Sequence, residues 1–225
     1  MKPLRTPAIV LRRTNYGEAD RILQLLTPHN GKISAIAKGV RREKSKLAGG
    51  VELLAISDVS LVAGKGDMWT LTGARMDTFF THILADYDRM QFAYTAIRKV
   101  AQVADQVDDE AFYELLRATL ESLNDLEIHI DITVSWFWLQ LAILQGQGLN
   151  LSTDVNGMKL VEDQNYRFDT DQMAFSFHEN GEFTTEHIKF LRLLSAQKPA
   201  VAANVSGATQ LLGLVRWLSE QASGH

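Results

Sequence analysis

The chain contains no cysteine. That excludes disulfides, thiolate nucleophiles and any zinc or iron–sulfur centre built on sulfur. Four prolines and 15 glycines in 225 residues are too few for a linker-dominated or low-complexity protein. Aromatic side chains are scarce at the N-terminal end, where Tyr16 is the only one before Trp69. Long apolar runs are also lacking. The most apolar stretch, residues 130–149, holds Asp131, Thr133, Ser135, Gln140, Gln145 and Gln147, which fits a buried core helix rather than a membrane span. Residues 4–10 are interrupted by Arg5, Thr6 and Pro7, so they do not read as a secretory leader. The expectation is a cytoplasmic protein with no membrane partner. With 46% hydrophobic residues it has enough apolar side chain for one large domain or two small ones.

Positive charge is what the N-terminal end has in excess. Residues 1–46 carry eleven lysines and arginines against three acids, a formal charge of +8. The other 179 residues carry 12 basic and 24 acidic groups, a formal charge of −12. The mildly acidic total of −4 hides this asymmetry. A basic segment of this density points to a polyanionic partner, because it concentrates phosphate polymers whatever the net charge of the chain.

The first 75 residues read as five short strands. Residues 8–13 and 21–27 are β-rich and are separated by the turn chemistry of Asn15-Tyr16-Gly17-Glu18. After Pro28-His29-Asn30-Gly31, residues 32–40 alternate: Ile33, Ala35 and Ala37 share one face, and Lys32, Ser34, Ile36 and Lys38 the other. Residues 41–50 form a basic loop. Residues 51–63 and 68–74 flank the turn Gly64-Lys65-Gly66-Asp67. Five strands with tight turns predict a small closed barrel. From residue 78 the spacing becomes helical, with two pieces over 78–107, a helix opened by Asp108-Asp109-Glu110, and a buried helix over 130–147. Residues 149–181 return to turns and short β-prone pieces, and helices resume at 184–195 and 207–222. The fold class expected is α+β, with a basic barrel over residues 1–76 and a mainly helical domain over 77–225 that contains a small β-rich insert at 149–183.

The segment Ala8-Ile9-Val10-Leu11, Tyr16-Gly17-Glu18-Ala19-Asp20-Arg21, Leu26-Thr27-Pro28-His29-Asn30-Gly31-Lys32, Ala37-Lys38-Gly39-Val40-Arg41-Arg42 and Lys44-Ser45-Lys46-Leu47 resembles the N-terminal signature of the bacterial DNA repair protein family RecO. The resemblance implies an N-terminal OB-fold, a helical domain and recombination-mediator activity without enzymatic turnover. It implies binding of single- and double-stranded DNA, annealing of complementary strands, and a nucleoid-associated location. The partners implied are RecR, the acidic tail of single-stranded-DNA-binding protein, and RecA indirectly. Many members hold zinc through four cysteines in the insert. No cysteine stands there in this chain, so no cofactor is expected. The insert is expected to rest on Tyr166, Phe168, Phe175, Phe177 and Phe183 instead.

The residues themselves agree with this chemistry. Single strands are held by basic grooves and by aromatic side chains that stack on bases. The basic component is Arg12, Arg13, Arg21, Lys32, Lys38, Arg41, Arg42, Lys44 and Lys46, with Tyr16 the available stacking ring. Trp69 reads as a barrel plug. Glu18, Asp20 and Arg21 read as a local ion pair shaping the first hairpin. For the partner tail the cations beside apolar helix faces are Arg89, Arg98, Lys99 and Arg117. An OB-type module acting on RNA is the alternative. Enzymes fit poorly: Gly64-Lys65-Gly66 lacks the P-loop spacing, Glu186-His187 lacks a second metal-ligand histidine, and neither Ser34 nor Ser206 sits in a nucleophile elbow.

Overall fold

The computed structural model describes residues 3–64, 66–104 and 110–223. Lys65, the end of the expected second helix (105–107) and the acidic pair Asp108-Asp109 lie outside them. Strands β1 (Leu4–Tyr16), β2 (Asp20–Thr27), β3 (Gly31–Ala37), β4 (Ala55–Ala63) and β5 (Met68–Phe79) close into a barrel in the order β1-β2-β3-β5-β4. This is the OB arrangement. β1 serves both sheets, pairing with β4 through residues 4–9 and with β2 through residues 9–16. It turns the corner at a bulge between Val10 and Arg12. β3 and β5 run parallel and close the barrel through Ser34–Met68, Ala35–Trp69 and Ile36–Thr70. The β2–β3 turn ends at Gly31, whose φ of +55° needs a residue without a Cβ.

Alternation sets the barrel core. Ala8, Val10, Leu23, Leu25, Ile33, Ala35, Ala37, Val59, Leu61 and Leu71 point inward, with Trp69 packed against them. Val40 and Val51, from the connection 38–54, plug one end. Ile9 and Leu26 lie opposite each other and point out of the barrel, yet both are buried. Helices α2 (Tyr87–Val103) and α3 (Glu110–Asn124) pack over β1 and β2 and cover them. A short helix, α1 (Thr81–Ala85), leads into α2, which starts at an Asp86 cap whose carboxylate accepts from the amides of Asp88 and Arg89. Barrel and helices α1–α3 form one compact unit, Met1–Asn124. Thus β5 runs past residue 76, and the unit that holds the barrel extends well beyond it.

The second unit, Asp125–His225, is built around α4 (Ile130–Leu144). Ten of its fifteen residues are buried, Thr133 and Ser135 among them, so it is the central helix of this unit. It ends at Gly146, with φ of +77°. Around it lie α5 (Thr185–Ala196), the short α6 (Pro199–Ala202) and α7 (Ala208–Ala222). Gln140 of α4 donates to the free carbonyls of Leu194 and Ser195 at the end of α5. The insert contains one hairpin, β6 (Tyr166–Asp169) with β7 (Ala174–Phe177). Its rings pack edge to face: Phe175 lies 5.1 Å from Phe168, 5.4 Å from Phe183 and 6.4 Å from Tyr166. Phe177 was expected among them but is 53% exposed, because it stands at the strand end beyond the cluster. Trp217 of α7 completes the cluster through Phe183.

Zinc does not fit this insert. Its sulfur ligands are missing, and its histidines are engaged separately. His178 accepts from the Asn180 amide, and His187 from the Thr184 amide at the start of α5. Among the described residues no three His, Asp or Glu side chains gather at metal-binding spacing. No helix among them is long and apolar enough to cross a membrane.

The His187 contact carries a pH dependence. Its Nδ1 accepts at 3.2 Å and must be unprotonated to do so. Burial holds the imidazole below its ordinary value of 6.5. The folded state therefore binds this proton less readily than the unfolded chain. The contribution to stability is complete above pH 6.5 and is lost as pH falls below it. Between about pH 7 and about pH 5 the thermal midpoint should fall, and His187→Gln should remove part of that slope. An identical slope in the variant would exclude this role.

Candidate nucleic-acid interface

The cations of the N-terminal segment divide by what they touch. Arg13 is engaged within the fold: its Nη1 donates to Glu52 at 2.7 Å and to the Val51 carbonyl, tying the 38–54 connection to β1. Arg21 donates to Asn15 across the first hairpin at 3.3 Å. Lys38, Arg41, Arg42, Lys44 and Lys46 are all exposed, with Glu43 the one acid among them. They occupy the first part of the 38–54 connection, which the strand pairing leaves outside the barrel wall.

This loop is pinned at its neck to the β1–β2 turn. The Gly39 amide donates to the Asp20 carboxylate at 2.7 Å, and the Arg41 amide to the Ala19 carbonyl at 2.9 Å. Arg41 Nη1 also reaches the Gly17 carbonyl at 3.5 Å. Asp20 thus shapes the hairpin as expected of a structural group, but by holding a backbone amide rather than by pairing with Arg21. The pinning sets the basic loop beside Tyr16, which is the last residue of β1 and is 54% exposed. In OB-folds the outer face of strands 2 and 3 and the β1–β2 loop are the surfaces that meet oligonucleotides.

Farther along the same outer face, Arg12 lies opposite Gln24, Gln24 opposite Ser34, and Lys32 opposite Leu26. Four residues of strand separate Arg12 from Tyr16, about 13 Å. Arg12 is exposed and makes no ion pair among the described residues. Lys32 is half-buried, and desolvation holds its ammonium below its ordinary value of 10.5. These side chains line one wall of an open cleft of about 490 Å³, whose other wall is Arg98 and Gln102 of α2. By sequence alone Arg98 groups with the partner-tail cations. No periodicity links α2 to β1, so only the packing could place it here.

Of the remaining partner-tail cations, Arg89 and Arg117 are engaged within the fold. Arg89 is 7% exposed and donates from Nη1 to the Leu123 carbonyl at 2.8 Å, holding α2 to the end of α3. Arg117 is clamped by Glu114 at 2.6 Å and Glu121 at 2.7 Å. These acids hold the guanidinium above its ordinary value. The i−3 and i+4 spacing of the two acids was a readable signal of that clamp. Lys99 lies half-buried on α2.

A family model described as "Recombination protein O N terminal" matches residues 1–79. Those residues belong to the RecO N-terminal family. The matched span is the whole barrel, including the pinned basic loop. The chain is also similar to proteins named DNA repair protein RecO. One from Dehalococcoides mccartyi strain CBDB1 is 41% identical over 122 residues, covering 54% of this chain and 48% of the relative. A second from that species is 35% identical over 164 residues, 72% of this chain and 64% of the relative. One from Acetivibrio thermocellus is 38% identical over 123 residues, 55% of this chain and 48% of the relative. The chain thus spans from about half to just under two thirds of the length of these RecO relatives.

Proposed function

We propose that this chain is a recombination mediator that acts in DNA repair by holding DNA, not by turning over a substrate. The observation that carries the reading is the loop of five exposed cations fixed by Asp20 and Ala19 beside the exposed ring of Tyr16. Such a surface grips sugar–phosphate chains by Coulomb attraction and carries little base-specific readout. It therefore takes single and double strands alike with weak sequence preference. The acidic remainder of the chain repels phosphate and confines DNA to the basic surface.

Holding two complementary strands while screening their mutual repulsion promotes annealing. In this reading RecR, the acidic tail of single-stranded-DNA-binding protein and, indirectly, RecA are the partners, and the work is done in the cytoplasm at the nucleoid. The match of residues 1–79 and the names of the relatives support it. The test is strand annealing, on naked complementary strands and on strands coated with single-stranded-DNA-binding protein. Accelerated annealing on both is expected. Binding to RNA with no acceleration on DNA would overturn the reading in favour of an RNA-binding module.

A further inference from the structure

Helix α2 turns an unusual stripe to solvent. At about 100° per residue, Tyr87, Gln91, Tyr94 and Arg98 fall within an arc of about 60° and run along about 16 Å of the helix. The opposite side, made of Arg89, Ala93, Ala96, Ile97 and Val100, is buried. Tyr87 is 69% exposed, Gln91 and Arg98 are exposed, and Tyr94 is half-buried. The solvent side of a helix ordinarily carries charge. Helix α3 follows that rule with Glu114, Arg117 and Glu121. The α2 stripe carries two phenol rings, a carboxamide and one cation instead.

We propose that this stripe is a stacking track for single-stranded DNA, with one base against Tyr87, a second against Tyr94, and the sugar–phosphate chain passing Arg98 towards the cations of the barrel. The proposal rests on the nucleic-acid reading above and deepens it. Single strands are held by two components, cations for the phosphates and rings for the bases. The barrel is rich in the first and poor in the second: Trp69 packs on its core, which leaves Tyr16. Helix α2 supplies what the barrel lacks. Its Arg98 borders the same cleft as Arg12 of β1, so the stripe is continuous with the basic surface at one end. The two rings are about 10 Å apart along the helix, so each meets its own base. No acid stands in the stripe. Asp86 caps the helix and lies 3.6 Å from Arg89 Nε, and Asp88 is turned about 100° away from Tyr87.

A duplex keeps its bases paired and stacked inward, so it offers the rings nothing. The basic loop takes both forms of DNA, whereas the stripe adds affinity for single strands alone. Tyrosine and arginine are also residues that protein interfaces favour. The stripe, however, has no aliphatic side chain to bury against a second copy of the chain.

The test compares the intact chain with Tyr87→Ala/Tyr94→Ala and with Tyr87→Phe/Tyr94→Phe. The probes are an oligothymidylate, an abasic oligomer of equal length and a duplex. The alanine pair should weaken oligothymidylate binding about thirtyfold, the least that two lost stacks give. Its salt slope should stay unchanged, because no phosphate contact is removed. Affinity for the abasic oligomer and for the duplex should be retained. The phenylalanine pair should bind like the intact chain, because stacking needs the ring and not the hydroxyl. Tyr94 is half-buried, so Tyr87→Ala alone is the check against a folding defect, with an expected loss of about fivefold. Equal losses on all three probes, no loss on oligothymidylate, or a loss in the phenylalanine pair would overturn the stacking track and leave the mediator reading in place. A dimer in sedimentation that the alanine pair dissolves would assign the stripe to a second copy and also overturn it. An intact chain that binds none of the three probes would overturn the mediator reading itself.

Discussion

Replacing Arg41, Arg42, Lys44 and Lys46 together by alanine should lower the salt slope of single-strand binding by about 2.8. Each phosphate contact on a single strand contributes about 0.7 to that slope through counterion release. All four side chains are exposed, and among the described residues only Arg41 of the four is held through its guanidinium, by one long bond to the Gly17 carbonyl. Their removal therefore leaves the barrel core intact, and the thermal midpoint should barely move. The loss should be uniform across DNA sequences, because phosphate contacts carry no base readout. The measurement is affinity against salt concentration for the chain and the fourfold variant. An unchanged slope would move the phosphate-binding surface away from this loop. Arg13→Ala is a useful contrast, since its guanidinium is paired with Glu52 and its loss acts on the connection rather than on DNA.

Phe175→Ala should be among the most damaging single substitutions in the second unit. The ring is fully buried and meets Tyr166, Phe168 and Phe183 edge to face. Truncating a buried phenylalanine costs about 3–5 kcal/mol through lost transfer energy and an unfilled cavity. Two backbone features make collapse into the cavity difficult. The Phe175 carbonyl accepts from the Val155 amide, and the Gly181 Cα sits so close to the Tyr166 backbone that a Cβ there would lie 2.4 Å from the carbonyl oxygen. The strand is therefore held while the ring is removed. Urea denaturation followed by near-ultraviolet circular dichroism gives the loss directly. A value below about 1 kcal/mol would mean that the rings are dispensable to the insert. Phe177→Ala, by contrast, should be nearly neutral, because its ring is largely solvated.

Much of the barrel was legible in the chain, because period-two alternation and turn chemistry act locally. Ile33, Ala35 and Ala37 face inward as the pattern implies, and Trp69 packs on the core. Strand ends were less legible. β1 extends from Leu4 to Tyr16 because it pairs with two neighbours in succession, and no local signal reveals the second pairing. The burial of Ile9 and Leu26 on the outer face was hidden for the same reason, since it depends on helices more than fifty residues away. The loop was the readable part of the candidate site, because its charge is consecutive. The cleft was not, because Arg98 meets Arg12 and Lys32 only through packing. Charge counting also gives no sign of which cations hold the fold together. Arg13, Arg89 and Arg117 are each committed to a partner within the fold.

The pinned neck of the loop bears on how tightly an electrostatic surface can hold. The connection 38–54 is long enough to wander, and a wandering loop would surrender that freedom at the moment of capture. Asp20 and Ala19 remove much of it beforehand, while the barrel folds. For the proposed mediator, attraction to the polyanion would then show more fully as affinity, because less freedom at the neck of the loop is left to lose.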